Sequence, residues 1–277
     1  MVCELTWTHC EGDASFVAPT TAARRGVARR GLSSANPTGL AIALFGLAGA
    51  YLLGEVSVSA FDASSHTTAS MVTFGGDLSW FAGFWLGLIG TAIFAVRSRP
   101  RQEGGLMADL ASSFGLSLRW WPDLPVGIAL GVVAQFVLVP LFELPLVPFV
   151  PHLFHRLNGP AHALTANVNG PGLVLLGILV CAGAPIVEEL YFRGVFQRAL
   201  LGWFLKTSPR IALPATVIVV GAVFGLVHFE ALELSALVGF GMLLSVTAFV
   251  TGRLGTGIVA HAAFNSVTFI SLALIHP

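Results

Sequence analysis

Three short stretches hold the side chains with which this chain could do chemistry: Glu188-Glu189-Leu190-Tyr191-Phe192-Arg193, Phe224-Gly225-Leu226-Val227-His228 and His261-Ala262-Ala263-Phe264-Asn265. Each interrupts an apolar run, where an ionisable or amide side chain costs free energy and is kept for a function or a partner. A carboxylate among apolar groups is a usable general base near neutral pH, so Glu188 could take a proton from water. His228, beside the same water, could orient it and pass a proton to a leaving amine. His261 and Asn265 could donate hydrogen bonds to a tetrahedral oxyanion. Together these groups would hydrolyse a peptide bond without a covalent intermediate. The three stretches contain no Ser or Cys, which leaves Ser–His and Cys–His schemes without a nucleophile. Zinc is the competing reading, because one Glu and two His are common ligands. The H-E-x-x-H spacing that places two ligands and a base on one helical turn is absent from the sequence.

Helical spacing gives these residues their headings, since positions four apart share a face. Glu189 faces Arg193, a pair that can neutralise itself and brace the helix. Glu188 is left on another heading without a local partner. Phe224 shares a face with His228, as a packing residue, and His261 shares one with Asn265.

The elements that must carry these groups are membrane spans. Hydrophobic residues make up 55% of the 277-residue chain and charged ones 10%, and the mean hydropathy is +0.83. These values lie far from a soluble globular profile. The expected fold is an all-α integral membrane protein, a bundle of about seven transmembrane helices around a polar intramembrane cavity, in contact with membrane lipid. Net charge is zero and no basic run with interleaved aromatics occurs, so nucleic acid is not an expected partner. Cys3, Cys10 and Cys181 are too few and too scattered for a disulfide framework.

Residues 1–36 are polar and lack the apolar core of a signal peptide, and read as a disordered cytoplasmic tail. Apolar runs predict spans at about 39–60, 78–96, 124–150, 171–203, 211–229, 234–251 and 256–275. Two N-terminal spans and a loop would thus occupy 37–122, and a catalytic core 123–277. Pro140, Pro145 and Pro148 predict a kinked or unwound end to the third span. The fourth is too long for a ~30 Å hydrocarbon core and must break, tilt steeply or extend into the interface, with Gly183 and Pro185 the expected place for a break. Arg24, Arg25, Arg29, Arg30, Arg97, Arg99, Arg101, Arg119, Lys206, Arg210 and Arg253 all fall in alternate loops, which predicts a cytoplasmic N-terminus in a plasma (inner) membrane. Trp120 and Trp121 read as interfacial anchors. Gly83/Gly87, Gly127/Gly131 and Gly221/Gly225 are spaced for close helix approach. His152, His155 and His162 lie in a Pro-rich stretch and read as a solvated loop.

Depth is the difficulty. Glu188 and His228 are each 20 residues from residue 208 and so lie at similar depth across a helical hairpin. His261 enters its helix only a few residues after Gly257. With straight, fully spanning helices it would sit too near one face to join the other two.

Glu-Glu-x-x-x-Arg, Phe-x-x-x-His and His-x-x-x-Asn, in that order on successive hydrophobic helices, resemble the CAAX-protease and bacteriocin-processing (ABI) family of intramembrane proteases. The likeness covers roughly residues 115–275, including the lead-in Phe114-Gly115-Leu116 and Trp120-Trp121-Pro122-Asp123. It leaves the first two spans outside. It implies an intramembrane endopeptidase acting on a membrane-associated protein or peptide, with no cofactor. Glu188 would activate water with His228, His261 and Asn265 would stabilise the oxyanion, and Glu189 with Arg193 would support the site. Since fold does not compel function, a non-catalytic membrane partner of the same fold is the alternative class, and a proton-relay transporter a third.

Overall fold

The computed structural model describes residues 37–64, 69–98, 105–157, 159, 165, 168 and 170–275. The expected tail, its cysteines and arginines, and His162 lie outside these. The chain is an all-helical, multi-pass membrane protein, with no strand among the described residues. α1 (Pro37–Ser64) and α2 (Ala69–Arg97) form an antiparallel hairpin. The short α3 (Gly105–Phe114) leads to α4 (Trp120–Leu146), and α5 (Leu153–Leu157) is a single turn. α6 (Pro171–Thr207), α7 (Ala212–Leu226), α8 (Leu234–Thr251) and α9 (Gly255–Ile275) follow.

Among the described residues six helices are long and apolar enough to cross a membrane, namely α1, α2, α4, α6, α8 and α9. The seventh expected span, α7, is apolar but has only 15 residues, which rise about 22 Å against a ~30 Å core. It ends before His228, which lies in the turn that follows.

The third span does unwind at its end, into a 3-10 turn at Leu144–Leu146 and further turns, but the expected break at Pro185 does not occur; Pro140 and Pro185 are accommodated by wide turns. In α6 the π-helical turn Leu179–Gly183 ends with the Ala184 N–H on the Leu179 carbonyl, five residues back, and Pro185 comes next. In α4 the turn Ala134–Leu138 ends with the Val139 N–H on the Ala134 carbonyl, and Pro140 comes next. A proline ring collides with the carbonyl four residues before it. Widening the preceding turn moves that carbonyl aside, so the helix continues. α6 therefore runs unbroken for 37 residues, with a second π-helical stretch at Leu190–Phe196.

Small residues let the spans approach closely. A Cβ on Gly127 would meet Val259 and the Thr256 carbonyl of α9. One on Gly225 would meet Val238 and the Leu234 carbonyl of α8, and one on Gly87 would meet Ala50 of α1. All three glycine pairs singled out by spacing lie at such crossings. Trp120 and Trp121 are 80% and 66% exposed, as lipid-facing anchors at the start of α4 should be.

The turn between α8 and α9 is locked to the start of α4. Arg253 Nη2 lies 2.6 Å from Asp123 Oδ1, with Nε at 3.1 Å from Oδ2. Thr256 Oγ1 donates to Oδ1 at 2.6 Å and the Arg119 N–H to Oδ2 at 2.7 Å. Asp123 is fully buried, and four donating groups offset the desolvation of its charge.

Candidate active site

The depth conflict is resolved by where α6 meets the α8–α9 turn. Arg198 Nη2 donates to the Phe114 carbonyl at 2.8 Å, and the Leu254 N–H to the adjacent Gly115 carbonyl at 2.8 Å. Residues 198 and 254 thus flank one loop and share a level. From that level Glu189 is nine residues along α6 and His261 seven along α9, about 13 and 10 Å at 1.5 Å per residue. The remaining turns of α6, with Lys206 near their end, project beyond the loop. Counting depth from residue 208 therefore misplaced Glu188, and with it the adjacent Glu189, relative to His261.

His261 Nδ1 lies 3.2 Å from Glu189 Oε1, and Arg193 Nη1 lies 2.8 Å from the same oxygen. Glu189, Arg193 and His261 are 1%, 1% and 3% exposed. Arg193 Nη2 also donates to the Gly241 carbonyl of α8 at 2.9 Å, and its guanidinium lies 4.6 Å from the Phe224 ring centroid. Gln197, one turn on, donates to the Ser245 carbonyl at 3.2 Å. A polar row along α6 is thereby matched to α8 carbonyls, and the buried charge is paired within its own helix. Gly257 gives Glu189 its room, since a Cβ there would lie 3.1 Å from Oε2.

Phe224 and Phe240 wall the His261 imidazole, each ring 5.6 Å away and edge-on. Phe224 also lies 4.8 Å from the His228 ring, so one phenyl separates and orients the two imidazoles. His228 Nδ1 is 2.7 Å from the Phe224 carbonyl. A carbonyl only accepts, so Nδ1 carries the proton and Nε2 of neutral His228 is the free, basic nitrogen.

The two glutamates differ sharply. Glu189 Oε1 is shared by Arg193 and His261. Among the described residues Glu188 has no ion pair, and Oε2 of each glutamate is buried without a hydrogen bond. Of the four polar residues expected to group, His261 is thus on Glu189 and not on Glu188.

Asn265 Nδ2 donates to the Val180 carbonyl at 2.9 Å. In the wide register of this turn the Val180 carbonyl would be served by the N–H five residues on. That residue is Pro185, which has none. Asn265 fills the gap and pins α9 to α6, a structural duty that no motif announced; one amide proton and Oδ1 are left over.

Tyr51 was missed altogether, because α1 lies outside the motif-bearing helices. Its hydroxyl donates to the Val227 carbonyl. The available signal was its rarity: the chain has two tyrosines, and a hydroxyl within an apolar span needs a partner. Among the described residues no group of three His, Cys, Asp or Glu side chains is placed to hold a metal ion.

Residues 170–267 match a family model, described as type II CAAX prenyl endopeptidase Rce1-like. The matched segment contains all three motifs and agrees with the family resemblance read from them. No curated protein and no solved structure matches the chain at the significance required. The site's helices α6 to α9 lie almost wholly within the match, and α1 to α5 precede it.

Proposed function

We propose that this chain, whose motif-bearing segment is that of the CAAX-type membrane endopeptidase family, hydrolyses a peptide bond of a membrane-associated protein or peptide with water activated by Glu188. The observation that carries the reading is the division of labour between the two adjacent glutamates. Among the described residues each glutamate has a buried Oε2 without a hydrogen bond, but Glu189 is ion-paired through Oε1 with Arg193 and His261, whereas Glu188 has no such pair. A carboxylate not tied up by a cation is what a general base requires.

In this mechanism Glu188 takes a proton from water as its oxygen attacks the scissile carbonyl carbon. His228 accepts a hydrogen bond from that water through Nε2, its ring fixed by the Phe224 carbonyl. The tetrahedral oxyanion receives the second amide proton of Asn265. It also receives the Nε2 proton of His261 in the imidazolium form, whose Nδ1 proton is held by Glu189. The C–N bond then breaks as Glu188 returns its proton, through His228, to the leaving amine. Phe224 keeps the imidazoles apart, and no metal takes part.

The protein would act in the plasma (inner) membrane with its N-terminus cytoplasmic and with no nucleic-acid partner. The support for orientation is the placement of Arg119, Arg210 and Arg253 in alternate connections, with Arg97 and Lys206 in the last turns of the helices that lead into them.

The decisive experiment compares protein termini in cells carrying wild type and Glu188→Gln. We expect at least one terminus to accumulate uncut while the variant inserts and accumulates normally, and cleavage by the purified enzyme to persist after thorough chelation. Unchanged processing in Glu188→Gln would sink the endopeptidase reading; activity abolished by chelation and restored by zinc would sink the metal-free one.

A further inference from the structure

Tyr51 reaches the site from a helix that precedes both the matched segment and the three motifs. Its hydroxyl donates to the carbonyl of Val227, the residue before His228. Its ring meets the ring of Phe229, the residue after His228, edge-on at 5.6 Å. Phe229 has φ of 55°, a left-handed conformation that is costly for a bulky side chain and persists only when its surroundings enforce it. Tyr51 therefore grips the His228 turn on both sides. Phe84 of α2 packs on Tyr51 at 4.9 Å, and Trp80 lies edge-on at 5.7 Å, so the gripping ring is itself held by the α1–α2 hairpin. One side chain thus fixes the backbone on either side of the imidazole that works with the general base.

We propose that Tyr51 is a positioning residue of the hydrolytic centre, so that the α1–α2 hairpin completes a site that the segment 170–267 does not complete alone. This rests on the endopeptidase reading. The role is indirect: Tyr51 sets where His228 Nε2 lies relative to Glu188, and touches neither water nor substrate.

The chain's other tyrosine supplies a matched control. Tyr191 of α6 donates its hydroxyl to the Ala43 carbonyl of α1. It is a bond of the same kind between the same hairpin and the same core, but it does not grip the His228 turn. Tyr51→Phe and Tyr191→Phe each delete one hydroxyl and keep the ring. The full chain would be purified in detergent and assayed on a peptide carrying the terminus that accumulates uncut with Glu188→Gln. For Tyr51→Phe we expect kcat to fall about tenfold with KM changed less than about twofold, because a lost buried hydrogen bond at the site raises the barrier and not the binding energy. The acid limb of its pH–rate profile should shift, since displacing His228 changes the surroundings of Glu188. For Tyr191→Phe we expect a lowered thermal midpoint with kcat and pH profile near wild type.

Wild-type kcat and pH profile in Tyr51→Phe, with Glu188→Gln inactive, would overturn the positioning role and leave the endopeptidase reading intact. An equal fall in kcat for both tyrosine variants would also overturn it, reducing Tyr51 to a docking contact. If Glu188→Gln leaves no terminus uncut, both inferences fall together.

Discussion

Adjacent glutamates with opposite fates give a sharp test at the scale of single residues. Glu188→Gln removes a carboxylate with no ion pair among the described residues, so stability should hold while activity is lost. Glu189→Gln strips Arg193 and His261 of their shared partner and leaves a buried guanidinium uncompensated. Breaking a buried pair in this way costs about 3–5 kcal/mol. Thermal unfolding in detergent should therefore show Glu189→Gln markedly destabilised and Glu188→Gln close to wild type. Equal midpoints for the two would contradict the assignment of bracing to Glu189. The pairing of Glu189 with Arg193 was legible in the sequence because it depends only on helical spacing. The third member, His261, was not, since it depends on the relative height of α6 and α9. Tyr51 was less legible still: a carbonyl in a distant turn has no signature in the residues that surround it.

Among the elements, the wide turns before Pro140 and Pro185 are the devices that spacing arguments misread. A proline in a long apolar run signals an interrupted hydrogen-bond ladder, and the sequence reading took the interruption for a break. Here each helix widens by one residue and continues, leaving the Val180 carbonyl for Asn265 to satisfy. This predicts a coupling between two residues 80 positions apart. Asn265→Ala should cost about 1 kcal/mol of stability by orphaning a partly buried carbonyl. In a Pro185→Ala background the restored N–H can serve Val180 from within the helix, and the same substitution should then cost less. A double-mutant cycle on thermal stability measures the difference; independent effects would refute the pairing. Activity separates the two duties of Asn265, because an oxyanion donor is lost in either background. The span boundaries were the most legible feature at this scale, being set by apolar length alone, and α7 departed chiefly in ending before His228.

For the whole molecule, charge is divided between the two ends of the bundle. Lys206 lies in the last turn of α6, and Arg210 and Arg253 lie in the α6–α7 and α8–α9 connections, whereas Glu230 and Glu233 lie in the α7–α8 connection. If the basic end is cytoplasmic, a membrane-impermeant thiol reagent should label Glu230→Cys and not Arg210→Cys in intact cells, both made in a Cys-free background. The reverse pattern would invert the topology. The acidic end also carries a pH dependence. Burial first, then the charges of Glu230 and Glu143, push the Glu233 carboxyl up to about 7. Its folded value exceeds its unfolded one, so the native state holds this proton more tightly. The associated stability is complete below about pH 4 and is lost as pH rises through about 7. Thermal midpoints should accordingly decline between pH 5 and 8 through this group, and Glu233→Gln should flatten the decline. An unaltered slope in that variant would remove Glu233 as its source.

The Glu189–Arg193 pair has a consequence for biogenesis. A charged residue at the centre of a span costs about 2.5–3.5 kcal/mol to insert, and His261 belongs to a helix that leaves the ribosome some 70 residues later. Because its cation sits four residues away on the same helix, Glu189 enters the bilayer already neutralised, without waiting for α9. The rest of the hydrolytic centre is different. Tyr51 lies on α1 and His261 and Asn265 on α9, so a nascent chain can carry its charges safely into the membrane long before it holds a complete hydrolytic centre.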